Sequence, residues 1–402
     1  MSLFAKKQKE IVLTKIGRLS FICFIFSLAL SLVSTIWAIY IDGFVGSASM
    51  VGYISSFLTA ISFFSFFLII PLIEKEDKSK IFSYSLFLFA VLYILFAINR
   101  KFYFFIILAV ILTILQTLRI TSFGIIVKSK SSEKQLSRNE GLVYTFMNFA
   151  WLIGPLIAGY VSGHYGINPV FILAAVFILI AFIFFKFSRI RDRNIKKRID
   201  INFFKNFKDF FKSKDRILAY TLGGGVNLWW SLIYIFVPLY IIRNNLEVQH
   251  VGYFLFAVVV PLLMFQYYFS KLAGKIGFRK IFKIGFLIPC LFAFLCFLVG
   301  NIYLIFLFLI LASVGLAMVE STTEAYFFDI LKGKQDLRFY GPYNTTIDLN
   351  HFIGEILAAT ILVFLPFKFV FLLYSFFMLA LFLISFKVRN IIEGRRDGKK
   401  NK

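Results

Sequence analysis

Much of this chain is written twice, at a spacing of 200 residues. Gly141, Thr145, Ile153, Gly154 and Ala158 return as Gly341, Thr345, Ile353, Gly354 and Ala358. The same ungapped offset carries Lys134, Gln135 and Arg138 onto Lys334, Gln335 and Arg338, and Val51-Gly52-Tyr53 onto Val251-Gly252-Tyr253. It also carries Tyr40 onto Tyr240 and Lys80-Ile81-Phe82 onto Lys280-Ile281-Phe282. A constant offset held across most of two halves marks a duplicated unit. Whatever the first half folds into, the second must fold into as well.

The repeated unit is too apolar for a soluble core. Hydrophobic residues make up 60% of the chain and aromatic residues 20%. About 20 apolar residues span a bilayer as a helix, and hydropathy yields six such runs per half. The first six cover 19–41, 49–73, 82–98, 102–127, 142–163 and 168–187. The second six cover 217–242, 250–273, 282–299, 302–327, 342–365 and 367–387. The runs are continuously apolar, without the alternation of a barrel strand, so they predict helices. The expected fold is an all-α integral membrane protein with twelve spans in two six-helix bundles. The expected division is 1–187 for the first bundle, 188–216 for a basic amphipathic linker and 217–402 for the second bundle with its basic tail.

Charge sets the expected orientation. Lys and Arg flanking short loops stay cytoplasmic, and a cytoplasmic N-terminus places 39 of the 44 on that side. Only Arg100, Lys101, Arg243 and Lys368 fall opposite, and Arg119 lies within a span. Both termini are therefore expected in the cytoplasm of a multi-pass plasma membrane protein. The net charge of +24 is explained by loops facing anionic lipid, with no nucleic-acid partner needed. In the linker, Phe203, Phe204, Phe207, Phe210 and Phe211 share one face with lysines opposite, the pattern of a helix lying on the inner leaflet. The apolar run behind Lys6, Lys7 and Lys9 is too long for a signal-peptide core and reads as a retained first helix. Cys23, Cys290 and Cys296 have no paired spacing, so neither a disulfide framework nor a metal site is expected. No loop carries a nucleophile–base pair or a phosphate-binding signature. The chain reads as neither an enzyme nor a cofactor protein.

The chain resembles the major facilitator superfamily (MFS) of transporters over nearly its whole length. Gly141, Ala150, Gly154, Pro155, Ala158 and Gly159 follow the spacing of that family's fifth-helix antiporter motif, with Ala at 150 and 158 in place of Gly. Small residues so spaced let helices approach closely, and Pro155 can bend the helix. A second signature follows the second helix of each half. Gly277, Arg279 and Lys280 keep it in one copy, with Gly274 where the acid belongs; Glu74 and Lys75 keep it in the other, with Asp77 where Gly is usual. The resemblance implies that Glu74 steadies a closed cytoplasmic gate by meeting the start of helix 11, in keeping with the partial positive charge of a helix N-terminus.

Polar residues inside spans are costly and mark function. Gln116 and Arg119 lie in span 4, and Glu320 and Glu324 in span 10. The resemblance implies that these spans line a central cavity, which would set Arg119 opposite Glu320 or Glu324. Span 7 offers Gly223, Gly224 and Gly225 for bending or close packing, and Asn227, Trp230 and Tyr234 as cavity-lining groups. Span 11 places Asp348, His351 and Glu355 on one face. Glu320, Glu324, Asp348 and Glu355 are four acids against Arg119 alone, an excess that proton coupling requires. Sodium could use the same oxygens. The expected protein is a monomeric secondary transporter of a small organic molecule, a proton-coupled multidrug-like exporter. The alternatives are a solute-uptake symporter, or a sensor or complex subunit of the same fold that does not transport.

Overall fold

The computed structural model describes residues 15–131, 136–190, 203–331 and 335–389. The side chains of residues 70–75, 136–137, 203–204 and 336–337 lie outside the description, as do the basic run at 191–202 and both tails. Twelve helices are long and apolar enough to cross a membrane. They are Lys15–Val45, Ala48–Ile69, Lys78–Ile98, Phe102–Ser129, Arg138–Tyr165 and Ile167–Phe187, then Lys214–Arg243, Val248–Ile276, Phe278–Leu298, Ile302–Ile330, Arg338–Phe364 and Lys368–Ser385, here spans 1 to 12. The protein is a multi-pass, all-α membrane protein.

Two compact units divide the chain, and each borrows from the other half. Unit 1 is Met1–Phe44, Ala60–Ile199 and Leu246–Phe256; unit 2 is Val45–Thr59, Asp200–Asn245 and Ala257–Lys402. The start of span 2 thus belongs to unit 2, and the start of span 8 to unit 1. The duplicated glycine explains how. In unit 2 a Cβ on Gly52 would fall 2.7 Å from the Ala359 Cβ of span 11. In unit 1 a Cβ on Gly252 would fall 2.7 Å from the Gly159 Cα of span 5 and collide with the Pro155 carbonyl. Only a residue without Cβ lets these backbones come so close.

The repeat also recurs in the cores. Tyr40 packs edge-on against Phe171 in unit 1, ring centroids 4.7 Å apart, and Tyr240 against Phe371 in unit 2, at 5.4 Å. Phe82 and Phe282 are both fully buried, each within an aromatic cluster. Helix starts show where the copies diverged. Asp77 caps span 3 with its side chain, accepting from the Ser79 and Lys80 amides. Its counterpart Gly277 opens span 9 at φ +87°, a conformation costly for any residue with a Cβ. Arg279 anchors that end by donating from Nε to the Val388 carbonyl at 2.6 Å.

Two spans are irregular, both in unit 2. Span 7 runs as an α-helix over Lys214–Ser231, passes through a π-turn over Leu232–Phe236 and resumes over Val237–Arg243. Pro238 accounts for the turn: it has no N–H to offer the Tyr234 carbonyl, and its ring crowds that carbonyl. The three glycines lie upstream in regular helix and serve packing. Gly223 meets Tyr343, Gly224 meets Asn350 and Thr346, and Gly225 meets Leu381 and Phe286. Span 11 breaks at Thr345, between Gln335–Asn344 and Thr346–Phe364. Thr345 donates to the Pro342 carbonyl at 2.7 Å, and Thr346 donates to the Tyr220 carbonyl of span 7 at 2.8 Å.

The linker helix is short, Phe203–Phe210, and its last residue does not face lipid. Phe210 is fully buried against Tyr220, Phe327 and Phe339. Charge fastens it there. Asp209 pairs with Lys212 at 2.7 Å and with Arg338, and the Lys212 hydrogen bond foremost holds its carboxyl below the ordinary range. Arg216 donates to the Phe210 carbonyl at 2.9 Å. Phe210→Ala is expected to cost about 3–5 kcal/mol, as for other buried Phe truncations. Hydrogen exchange over 205–216 checks this: protection there should fall while spans 1 to 6 are unaffected.

Candidate functional site

Two carboxylates within the spans of unit 2 stand out, Glu355 buried and Glu320 partly exposed, and their surroundings differ. Glu355 sits in the third turn of the helix that begins at Thr346, at 2% exposure. Thr59 of span 2 donates from Oγ1 to Glu355 Oε2 at 2.9 Å. His351, one turn back, stands with Nδ1 3.6 Å from Oε1, and the pair is ionic only when the imidazole is protonated. Gly354 brings this helix against span 7: a Cβ there would collide with Ser231 Oγ and fall 2.9 Å from the Tyr374 hydroxyl. Ser231 gives its one proton to the Leu228 carbonyl at 2.7 Å, so across the 2.6 Å contact the Tyr374 hydroxyl donates to Ser231. Both oxygens of Glu355 therefore have a neighbour that can donate, and Tyr374 is engaged elsewhere.

Thr59 is also the last residue of span 2 that belongs to unit 2; Ala60 belongs to unit 1. No motif points to Thr59. Its only signal in the sequence is a hydroxyl in an apolar run. Thr59→Val removes the donor and keeps the shape, leaving a buried carboxylate oxygen unsatisfied at about 1–3 kcal/mol. The melting temperature of the purified protein is expected to fall for Thr59→Val and to stay near wild type for Thr59→Ser.

Glu320 of span 10 has a different setting. Trp230 of span 7 interacts with its carboxyl group through its side chain. The carboxyl oxygen Oε2 is buried with no hydrogen-bond partner among the described residues. The Trp230 and Tyr234 rings lie 5.5 Å apart between centroids, inclined at 41°, and Tyr234 also faces Glu320 electrostatically. Tyr234 lies in the π-turn. A π-turn widens the helix and re-aims its side chains, and such turns cluster at functional sites. The sequence carried a signal for it, Pro238 four residues after Tyr234.

The remaining candidates are placed separately. Glu324, a turn beyond Glu320, is exposed and accepts from the Tyr340 hydroxyl at 2.9 Å. Asp348 lies in the first turn after the break in span 11, where a helix N-terminus favours an anion, and acts electrostatically on Tyr220. Asn227 donates to the Gly223 carbonyl of its own helix at 3.2 Å. In unit 1, Arg119 is 5% exposed, its guanidinium 4.7 Å from the Phe26 ring centroid and 5.9 Å from that of Phe89. Gln116 Oε1, on the same helix, has no partner among the described residues. In the fifth span Gly154 meets Ser31, and Gly159 meets Gly252, so both serve close helix packing. Glu74 and Lys75 end, by their backbone, the helix Ala48–Lys75 that continues beyond span 2; their side chains lie outside the described residues.

A family model described as Major Facilitator Superfamily matches residues 19–265 and 228–402. An uncharacterized MFS-type transporter of Methanocaldococcus jannaschii is 22% identical over 237 residues, 58% of this chain and 61% of that relative. Thus the match spans about three fifths of the relative's length. Among solved structures, a nucleoside transporter superposes with TM-score 0.77 at 11% identity, covering 93% of this chain and 99% of that one. A POT family transporter in complex with a thioalcohol-conjugated peptide gives 0.75 at 14%, covering 92% and 95%. A bacterial homolog of the human lysosomal transporter Spinster, inward-facing and unoccupied, gives 0.75 at 12%, covering 95% and 97%. At these identities the likeness is one of fold.

Proposed function

The chain belongs to the Major Facilitator Superfamily, and from that premise we propose that it is a secondary active transporter which exports a small organic solute in exchange for protons. The observation that carries the reading is the pair of acids within the spans of unit 2, Glu355 buried and Glu320 partly buried. Neither Glu320 nor Glu355 is paired with a Lys or Arg among the described residues. Ionised carboxylates in hydrocarbon need a cation, a proton or strong donors. A protein that only needed to span the membrane would be more stable with apolar residues at both positions.

In the proposed cycle, Glu355 carries the coupling proton. His351 shares the charge from the same helix face, and Thr59 holds the carboxylate from span 2. Protonation removes the charge that Thr59 solvates, weakening the hold of span 2 on span 11 at the residue where span 2 passes from one unit to the other. Alternating access needs such an exchange of contacts, because a bound ion can shift a conformational equilibrium only by its differential affinity for the two states. Asp348 contributes a further acid at the start of the same helix. Glu74 with Lys75, and Gly277 with Arg279, would set the gate at the ends facing the cytoplasm, in a plasma membrane protein with both termini inside.

The test is reconstitution. Proteoliposomes loaded with a pH-sensitive dye should show proton movement when, and only when, a transported solute is supplied in a screen of organic ions. Solute movement without any proton movement would leave a transporter that is not coupled to protons.

A further inference from the structure

Glu320 and Glu355 are both acids within the spans of unit 2, but the structure does not equip them for one task. We propose that Glu320, with Trp230 and Tyr234, is a binding site for an organic cation, an ammonium group carried on an aromatic or other apolar body. The inference rests on the transporter reading for its biological sense, and it names the class of cargo. Glu355 already has Thr59 on one oxygen and His351 beside the other. Glu320 has Trp230 on its carboxyl group, while Oε2 is buried and finds no donor among the described residues. A buried acceptor left so is costly unless something completes it. What completes it must bring positive charge or an N–H.

The flanking groups narrow the chemistry further. An indole and a phenol beside one carboxylate offer two electron-rich faces, the arrangement that attracts ammonium groups by cation–π interaction, at about 2 kcal/mol or more when desolvated. A hydrated metal ion would instead call for several oxygen ligands, and among the described residues no group of three or more Asp, Glu, His or Cys gathers. An anionic solute would meet the Glu320 charge directly. The π-turn that carries Tyr234, which faces Glu320 electrostatically, breaks the regular helix at a place where Pro238 makes the irregularity permanent. Selectivity for ammonium over a neutral analogue thus follows from the carboxylate, and preference for an aromatic or apolar body from the rings.

The experiment uses the full-length protein in lipid nanodiscs and three probes of one shape, phenethylammonium, the neutral phenethyl alcohol and the anionic phenylacetate, titrated by calorimetry. Wild type is expected to bind the ammonium at least about tenfold more tightly than the alcohol, a difference of about 1.4 kcal/mol, and to show no binding of the acid. Glu320→Gln should abolish the preference for charge, and Trp230→Leu should weaken the ammonium by a similar factor. Equal binding of ammonium and alcohol by wild type overturns the assignment without reference to any variant, as does ammonium binding that survives Glu320→Gln. Failure of all three probes to bind also overturns it. The transporter reading is judged separately. Charge-selective binding with no movement of phenethyltrimethylammonium in proteoliposomes sinks that reading and leaves the cation site. Proton-linked movement of other solutes with no ammonium preference does the reverse.

Discussion

Glu355→Gln protein in proteoliposomes is expected to exchange labelled phenethyltrimethylammonium across equal concentrations yet fail to concentrate it when a pH difference is imposed. The probe is permanently charged, so it cannot follow the pH difference by crossing the bilayer as a neutral base. Gln is close to the shape of a protonated Glu and cannot release a proton. The variant is thus fixed in one state of the proposed cycle. Its Thr59 partner survives, since an amide oxygen can accept the same hydrogen bond, and the fold should tolerate the change. Accumulation undiminished from wild type would move the coupling proton away from span 11 and leave Glu355 as a structural link between spans 2 and 11. Any other solute that wild type concentrates can take the place of the probe.

Arg119→Leu is expected to raise the melting temperature of the purified protein. Burying a guanidinium carries an effective penalty of several kcal/mol. What offsets it here is two aromatic faces, Phe26 and Phe89, and no hydrogen bond to Nε among the described residues. Each face contributes about 2 kcal/mol or more under desolvation, which does little more than offset that penalty, whereas a leucine among the same rings adds about 1.5–3 kcal/mol of apolar burial with no charge to desolvate. The balance favours leucine. A lower melting temperature would reveal that the charge is compensated, and the Phe26 and Phe89 variants would then locate the compensation.

The architecture was legible because membrane solvation leaves few options. Apolar runs, basic loops and a 200-residue repeat specify twelve helices in two related halves, and the predicted ends differ from the observed ones by a few residues, as where span 1 begins at Lys15. The family signature of span 5 was readable because close packing requires small residues at set spacings. Gly159 and Gly252 show the requirement, two backbones near contact. The site was legible only in part. Acids in apolar runs announce themselves by their cost, and so Glu320 and Glu355 could be named from the sequence. Their partners could not. Thr59 lies 296 residues from Glu355, and nothing about a threonine in a helix says which neighbour it faces. The contrast between a satisfied and an unsatisfied carboxylate is a property of three-dimensional packing. The linker shows the same limit. Its phenylalanines read as a lipid-facing stripe, yet Phe210 finds Tyr220, Phe327 and Phe339 instead, because a long-range ion pair between Asp209 and Arg338 fixes where the helix docks.

The exchange of span ends between the units has a consequence for how the protein can be made. Unit 1 is incomplete without Leu246–Phe256, which is translated with the second half, and unit 2 is incomplete without Val45–Thr59, which is translated with the first. The gene duplication therefore did not produce two self-sufficient modules. A cell given only one half would hold a bundle with a naked groove, where Gly159 or Ala359 expects a glycine from the other polypeptide. Severed within 191–202 and expressed as separate messages, the two pieces should each be degraded alone and rescue one another when made together, with Gly52 and Gly252 as the points at which each recognises its missing mate.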